Sequence, residues 1–204
     1  MTPAAREIWL AKATDALRPI FAAGGYDIPV KVRVSCSWPS RGGQGKNKRV
    51  IGQCWSPEAS ADGVTEIFVS PTIDEREEVL LVLVHELIHA AVGIKEGHRG
   101  AFKQAHSFLG LVGRCTSSET GEDWLQRYSG IYQLCGDYAH AKLDPTLSGV
   151  PKQTTRQIKL LCGKCDYIVR ASRKCIEKGL PTCPCGCKLE PEEATVILEG
   201  EEEP

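Results

Sequence analysis

The residues with the clearest chemical meaning are His85, Glu86 and His89, which form the pattern His-Glu-x-x-His. On a helix, side chains four positions apart lie one turn above each other on the same face. Both imidazoles can therefore bind one Zn²⁺ ion, with Glu86 beside the open coordination position as a general base. Burying these polar groups without a partner would be costly, so a bound metal ion explains them better than hydrogen bonds to the backbone.

A catalytic zinc site usually has three protein ligands and one position for water. The sequence offers three candidates for the third ligand, namely His98, His106 and Glu119. We favour His98, because Gly97 allows the chain to turn back sharply after the helix has ended. His106 is expected to pack in the core or to lie behind one of the ligands.

A second group of potential ligands lies near the carboxyl end of the sequence. Cys162 and Cys165 are followed about twenty residues later by Cys183, Cys185 and Cys187. Two short cysteine pairs at this separation predict a structural zinc site of the zinc-ribbon kind. We favour Cys162, Cys165, Cys183 and Cys185 as the four ligands, and Cys187 stays an alternative for the second pair.

The remaining cysteines and one histidine have no metal-binding pattern. Cys175 has no cysteine at ligand-pair spacing and is predicted not to be a ligand, and His140 is predicted to lie on the surface. The other cysteines are predicted to be small buried hydrophobes: Cys36, Cys54, Cys115 and Cys135. We therefore predict two zinc ions per chain, one catalytic and one structural.

Strong helix signals surround the histidine pair. Asp74 is predicted to cap the helix, with Glu77 three residues later in the capping-box position. The run from Val79 to Val84 is entirely apolar, and Gly93 is placed to end the helix. A helix that is apolar on nearly all sides is expected to be buried.

The other elements predict an α+β domain in which helices pack on a short β-sheet. Apolar residues at helical spacing between Ile8 and Phe21 predict a first helix that ends before Gly24. Apolar alternation or β-rich composition predicts strands at residues 30–34, 50–55 and 65–70. Shorter helices are expected at residues 102–109 and 124–135.

Charge divides the chain, although its formal net charge is only −1. Residues 1–150 carry −1, residues 151–188 carry +7 and residues 189–204 carry −7. A neutral body is thus followed by a basic module and an acidic tail. The predicted divisions are a first domain at residues 1–145, a linker at 146–157, a zinc-ribbon module at 158–190 and the tail at 191–204.

The basic module predicts contacts with DNA phosphates. The side chains expected to make them are Lys159, Lys164, Arg170, Arg173, Lys174 and Lys178. A glycine-rich basic loop from Arg41 to Arg49 is expected to add further contacts. The alternative is a solvated basic face that the acidic tail neutralises.

The sequence predicts no membrane contact. Its longest apolar run, Val79 to Val84, is far shorter than the roughly 20 residues that cross a bilayer. The amino-terminal residues lack the continuous apolar stretch of a secretory signal. Ten cysteines, many of them clustered, favour metal binding in a reducing compartment, so we expect a cytoplasmic protein.

Several motifs together resemble the SprT-like metallopeptidase family, which includes the DNA–protein crosslink protease Spartan. The motifs are Ile51-Gly-Gln-Cys-Trp55, Thr65-Glu-Ile-Phe-Val-Ser-Pro71, His85-Glu-Leu-Ile-His-Ala90 and Gly97-His-Arg-Gly-Ala-Phe102. The resemblance covers roughly residues 5–140 and extends to the cysteine module. It implies a small zincin-like domain followed by a zinc ribbon, with His85, His89 and His98 as the ligands of the catalytic zinc.

The residues and the resemblance together predict a zinc-dependent endopeptidase. A zinc-bound water would attack the peptide carbonyl, and Glu86 would accept its proton and pass it to the leaving amine. Proteins on DNA, or crosslinked to it, are one expected substrate class. Two alternatives stay open, a nonhydrolytic zinc-containing protein that binds nucleic acid and a general protease without DNA dependence.

Overall fold

The computed structural model describes residues 6–40, 50–138, 140–147 and 157–192. The chain divides into two compact units, residues 1–148 and 149–204, and this division falls within the predicted linker. The basic loop Arg41 to Arg49, most of that linker and nearly all of the acidic tail lie outside the described residues. Within the described residues, every helix is too short or too polar to span a membrane.

The first unit combines helices with two small sheets, as the predicted α+β class requires. Its helices are α1 (Arg6–Ala23), α2 (Arg76–Val92), α3 (Gly100–Phe108), α4 (Trp124–Arg127) and α5 (Ser129–Cys135). Its strands are β1 (Val32–Cys36), β2 (Gly52–Trp55), β3 (Thr65–Val69), β4 (Leu111–Arg114) and β5 (Ser117–Thr120). Single 3₁₀ turns lie at Pro57–Ala59, Ile94–Glu96 and Pro145–Leu147.

The larger sheet has β3 at its centre. β3 pairs in parallel with β1 and antiparallel with β2, so that Ile67 lies opposite both Val34 and Cys54. Ile67 and Val69 are fully buried, whereas the residue between them is only partly covered. This alternation is the period of a strand with one face on the core. Helix α2 packs on β2 and β3, and α1 packs on β1.

Helix α2 supplies much of the apolar core of the first unit. Its buried apolar residues are Val79, Leu80, Val82, Leu83, Val84, Leu87 and Ile88. Each such side chain contributes about 1.5–3 kcal/mol when it is fully buried. Gly93 is the carboxy-terminal cap, and its N–H donates to the carbonyl of His89 at 3.0 Å. The predicted burial and carboxyl end of this helix are therefore confirmed.

The amino-terminal end of α2 differs from the prediction. The helix begins at Arg76 with Glu75 at the N-cap position, and no side chain hydrogen-bonds the first turn. Asp74, the predicted cap, instead accepts a hydrogen bond from the backbone N–H of Lys142 at 3.1 Å. Its carboxylate thus joins the start of α2 to the segment after α5.

Other boundaries also differ from the prediction. The single helix expected at residues 124–135 is two short helices, α4 and α5, which meet at Tyr128. Strand β1 starts at Val32, and the side chain of Val30 is 92% exposed. The antiparallel β4–β5 hairpin has no counterpart in the prediction, because its strands are four residues long and almost entirely exposed.

The second unit is a three-stranded antiparallel sheet with little apolar core. Its central strand β6 (Gln157–Leu161) lies between β7 (Ile168–Ser172) and β8 (Glu190–Pro191), and a short helix α6 (Arg173–Ile176) follows β7. The buried residues of this core are Leu160, Cys162, Cys183 and Leu189. So small a cluster supplies little hydrophobic stabilisation, and bound metal commonly replaces it in modules of this size.

Candidate metal centres

Three imidazole rings converge beside α2. Nε2 of His98 lies 3.2 Å from Nε2 of His85 and 3.2 Å from Nε2 of His89. His85 and His89 come from successive turns of α2, whereas His98 follows the 3₁₀ turn Ile94–Glu96. Gly97 has a φ of 55°, a conformation that favours glycine and turns the chain back. The three histidines named from the sequence can therefore hold one metal ion.

The other candidates for the third ligand lie outside this group. Glu119 is an exposed residue of β5, and His106 is a buried residue of α3 with 4% of its surface exposed. His140 is half-buried beside Tyr138, with ring centroids 6.0 Å apart, and its Nε2 atom is buried. His140, predicted to lie on the surface, is therefore only partly exposed.

The histidine set fits a zinc ion in both spacing and protonation. Tetrahedral nitrogen ligands at the usual Zn–N distance of about 2.0–2.1 Å are roughly 3.3 Å apart. The two Nε2 separations of 3.2 Å are close to that value. Burial lowers the pKa of His85 to about 3 and the pKa of His89 to about 4. Both rings are therefore neutral at pH 7, which is the form of imidazole that binds metal.

Phe102 lies under all three imidazole rings. Its ring centroid is 5.1 Å from that of His85, 4.4 Å from that of His89 and 4.9 Å from that of His98. The side chain is fully buried. Contact with one rigid aromatic ring restricts the rotation of all three imidazoles, so Phe102 orders the site without offering a ligand atom.

Glu86 is a buried carboxyl group next to the histidine set, with 7% of its surface exposed. Burial raises its pKa to about 8, and a hydrogen bond from the backbone N–H of Cys54 partly opposes that rise. Strand β2 can lie close to Glu86 on α2 because residue 52 is glycine. A Cβ there would collide with Oε1 of Glu86 and lie 2.7 Å from Cγ1 of Val82.

A cavity of about 490 Å³ opens next to His89. One wall is the segment 56–58, at the 3₁₀ turn after β2, and the other is the end of α2 with the turn Ile94–Glu96. Ala90, Val92 and Ile94 make part of its lining apolar. The cavity is large enough for an amino-acid side chain.

Behind the site, Ser118 forms a bridge between two histidines. Its Oγ lies 3.0 Å from Nδ1 of His85 and 2.9 Å from Nε2 of His106. His106 therefore lies behind a candidate ligand, as predicted. Ser118 carries no signal in the sequence, since the hairpin that brings it here was not predicted. Among the described residues, Nδ1 of His89 is buried without a hydrogen-bond partner.

Four thiol groups converge in the second unit. Sγ of Cys185 lies 3.5 Å from Sγ of Cys162 and 3.6 Å from Sγ of Cys165. Sγ of Cys165 in turn lies 3.3 Å from Sγ of Cys183. A disulfide would require about 2.05 Å, so these are separate thiols. Tetrahedral sulfur ligands of zinc are roughly 3.8 Å apart. The four cysteines favoured from the sequence can therefore hold a metal ion.

The two other cysteines of this unit do not belong to the four-thiol set, although the thiol of Cys187 has hydrogen-bonding contacts with those of Cys185 and Cys162. The backbone of Cys187 closes the turn, since its carbonyl accepts the N–H of Cys183 at 2.7 Å. A hydrogen bond from its backbone N–H, together with hydrogen bonds from the thiols of Cys183 and Cys162, lowers the pKa of Cys185 to about 6, which favours the thiolate that binds metal. Cys175 is exposed and accepts a hydrogen bond from Oγ of Ser172 at 3.2 Å, as expected of a residue that is not a ligand.

Comparisons with family models, with curated proteins and with solved structures find no match to this chain. Its chemistry is therefore inferred from the two candidate metal centres and their surroundings.

Most of the basic side chains expected to contact phosphate are exposed on the second unit. Those exposed are Lys164, Arg170, Arg173, Lys174 and Lys178. Lys159 differs, because its Nζ pairs with the carboxylate of Glu192 at 2.7 Å. This ion pair joins the basic module to the first residues of the acidic tail, as the alternative interpretation expects.

Proposed function

We propose that this chain is a zinc-dependent endopeptidase of the SprT-like kind, with a zincin-like first unit and a zinc ribbon. The observation that carries the proposal is the convergence of three histidine Nε2 atoms beside the buried carboxyl group of Glu86. Structural zinc sites usually have four protein ligands, whereas catalytic sites have three and an open position. A buried acid beside three ligands suits catalysis.

Zinc held by the three histidines would supply Lewis acidity, which polarises a peptide carbonyl and makes water more acidic. Glu86 would accept a proton from the attacking water and return it to the leaving nitrogen as the C–N bond breaks. The products are a carboxylate and an amine. Burial favours the protonated form of this carboxyl group, whereas a zinc ion held by the three histidines would favour its ionised form, so the group is suited both to accept and to release a proton. The cavity beside His89 would receive a substrate side chain.

Replacing Glu86 with glutamine tests the proposal directly. Glutamine keeps the size of the side chain but cannot accept the proton, so we expect cleavage of an unfolded protein substrate to fall by about 10²–10⁴-fold. Elemental analysis should still find two zinc ions per chain. Glu119→Gln is the matched control, because it alters an exposed carboxylate outside the histidine set. A zinc-loaded Glu86→Gln variant that cleaves at the wild-type rate would contradict the mechanism.

We further propose that the substrates are proteins on DNA, because the second unit presents exposed basic residues around its cysteine group. Phosphate contacts would weaken as salt concentration rises. Cleavage of a DNA-bound protein should therefore be faster with DNA present, and the difference should shrink at high salt.

The two alternatives predict different results in this assay. A general protease would cleave equally well with and without DNA. A nonhydrolytic nucleic-acid-binding protein would bind DNA but leave the substrate intact even when it is loaded with zinc.

A further inference from the structure

The hydroxyl of Ser118 lies between His85, a candidate ligand, and His106, which has no ligand role. The Oγ atom is 3.0 Å from Nδ1 of His85 and 2.9 Å from Nε2 of His106. These residues come from three separate elements, since His85 is on α2, His106 is on α3 and Ser118 is on β5. The contact therefore joins the β4–β5 hairpin to the histidine set.

The direction of these hydrogen bonds follows from the arrangement of the ligand atoms. If Nε2 of His85 binds a metal ion, it cannot carry a proton, so the proton of the neutral ring must be on Nδ1. Nδ1 then donates to Oγ of Ser118. The hydroxyl has one proton, which it donates to Nε2 of His106. Each donor thus meets an acceptor, and one proton arrangement satisfies all three side chains.

We propose that Ser118, itself held by His106, is a positioning residue that fixes the tautomer and ring orientation of His85 for metal binding. The inference rests on the metal site of the proposed function. Ligating histidines usually donate their second ring N–H to a neighbouring acceptor, and loss of that acceptor weakens metal affinity by about 10–100-fold. In this chain the acceptor is a hydroxyl group whose own proton is taken by a second histidine.

The difference between the two histidines of α2 supports this role. Nδ1 of His85 has the hydroxyl of Ser118, whereas Nδ1 of His89 is buried with no partner among the described residues. His89 instead has the shorter contact with Phe102, at 4.4 Å between ring centroids. Packing against Phe102 thus orients His89, and Ser118 together with His106 orients His85.

The test is zinc affinity in the full chain, measured by competition with a chelator. Ser118→Ala removes the acceptor, and we expect the affinity of the histidine site to fall by about 10–100-fold. Ser118→Thr keeps the hydroxyl and should restore affinity to near the wild-type value. The cysteine site is an internal reference, since its zinc should be released at the same chelator concentration in every variant.

A purely structural role for Ser118 makes a different prediction. The tryptophans at positions 9, 38, 55 and 124 all belong to the first unit, so their fluorescence reports its unfolding. If Ser118 only stabilises the hairpin, Ser118→Ala should lower the melting temperature of the zinc-free protein and leave zinc affinity unchanged. Our inference requires zinc affinity to fall in Ser118→Ala, whether or not the melting temperature changes, and to recover in Ser118→Thr.

His106 provides an independent check on the same inference. His106→Leu removes the acceptor for the Ser118 proton, and we expect a smaller loss of zinc affinity, which His106→Gln should partly restore. Cobalt substitution adds a spectroscopic readout, because reorienting one imidazole should alter the visible absorption of Co²⁺ at the histidine site. Unchanged zinc affinity and an unchanged cobalt spectrum in both Ser118→Ala and His106→Leu would overturn the inference. If the proposed peptidase function fails but these shifts appear, the positioning role stands.

Discussion

The buried carboxyl group of Glu86 should make the zinc-free protein progressively less stable than a variant with glutamine at this position as pH rises. Burial raises the pKa of Glu86 from its ordinary value of 4.5 to about 8 in the folded chain. A group with a raised folded pKa contributes stability that is complete below the unfolded pKa and is lost as pH rises through the folded pKa. The affected window is therefore pH 4.5 to 8.

The size of the effect follows from that difference in pKa. Each pKa unit corresponds to 1.36 kcal/mol, so wild type should lose stability relative to Glu86→Gln by about 2 kcal/mol at pH 6 and by about 4–5 kcal/mol above pH 8. The lowered pKa values of His85 and His89 stabilise the fold as pH rises, but they act in both proteins and cancel in this difference. Glutamine resembles the neutral acid, and its carbonyl oxygen can still accept the N–H of Cys54. For a unit of this size, about 3 °C of melting temperature corresponds to 1 kcal/mol. We expect Glu86→Gln to melt roughly 10–15 °C above wild type at pH 8.5, and at about the same temperature near pH 4.5.

The assay is thermal unfolding followed by tryptophan fluorescence, in chelator, at several pH values between 4.5 and 8.5. The control is Glu119→Gln, which replaces an exposed carboxyl group on β5 and should differ little from wild type in melting temperature. A constant difference between Glu86→Gln and wild type across this range would refute the reasoning, and so would destabilisation by glutamine at pH 8.

Three further changes give separate outcomes. Gly52→Ala should lower the free energy of unfolding by about 1–3 kcal/mol and reduce peptidase activity while zinc is retained, because its Cβ would press on Glu86. The control is Gly130→Ala, which lies in open space on α5 and should leave the melting temperature and the activity close to wild type. Phe102→Leu should lower the melting temperature and weaken zinc binding at the histidine site, as a chelator competition would show. Excess chelator at pH 7 should unfold the second unit, which NMR would show as a loss of its dispersed signals. The first unit should stay folded and keep its thermal unfolding transition in tryptophan fluorescence.

Sequence reasoning found the candidate ligands because their pattern is local. The spacing of His85 and His89 specifies one helix face, and Gly97 provides the turn that returns His98 to it. The pattern of the cysteine pairs is also local, since the two cysteines of each pair lie on one turn beside a short strand. These parts of the site follow from geometry within a few residues, so they can be inferred without knowing how distant segments pack.

The surroundings of the ligands could not be inferred in this way. Ser118 reaches His85 across 33 positions of sequence, and the approach of Gly52 to Glu86 depends on the order of strands in the sheet. The break between α4 and α5 is also a tertiary effect. At that break, the hydroxyl of Tyr128 donates to the carbonyl of Leu109 at 2.7 Å in the core. Such contacts override a continuous helical pattern.

The folding of the two units would depend on metal in different ways, and this decides which variants can test each proposed function. The histidine site rests on a core that includes α1, α2 and the larger sheet, so losing a ligand there should remove chemistry while the first unit stays folded. In the second unit, two of the four core residues are candidate ligands, Cys162 and Cys183. The free energy of metal binding there would be folding free energy, so a cysteine variant would lose the proposed DNA binding merely because the unit unfolds. The test of DNA contact must therefore substitute exposed basic residues such as Arg170 and Lys174, because those substitutions leave the four cysteine thiols intact.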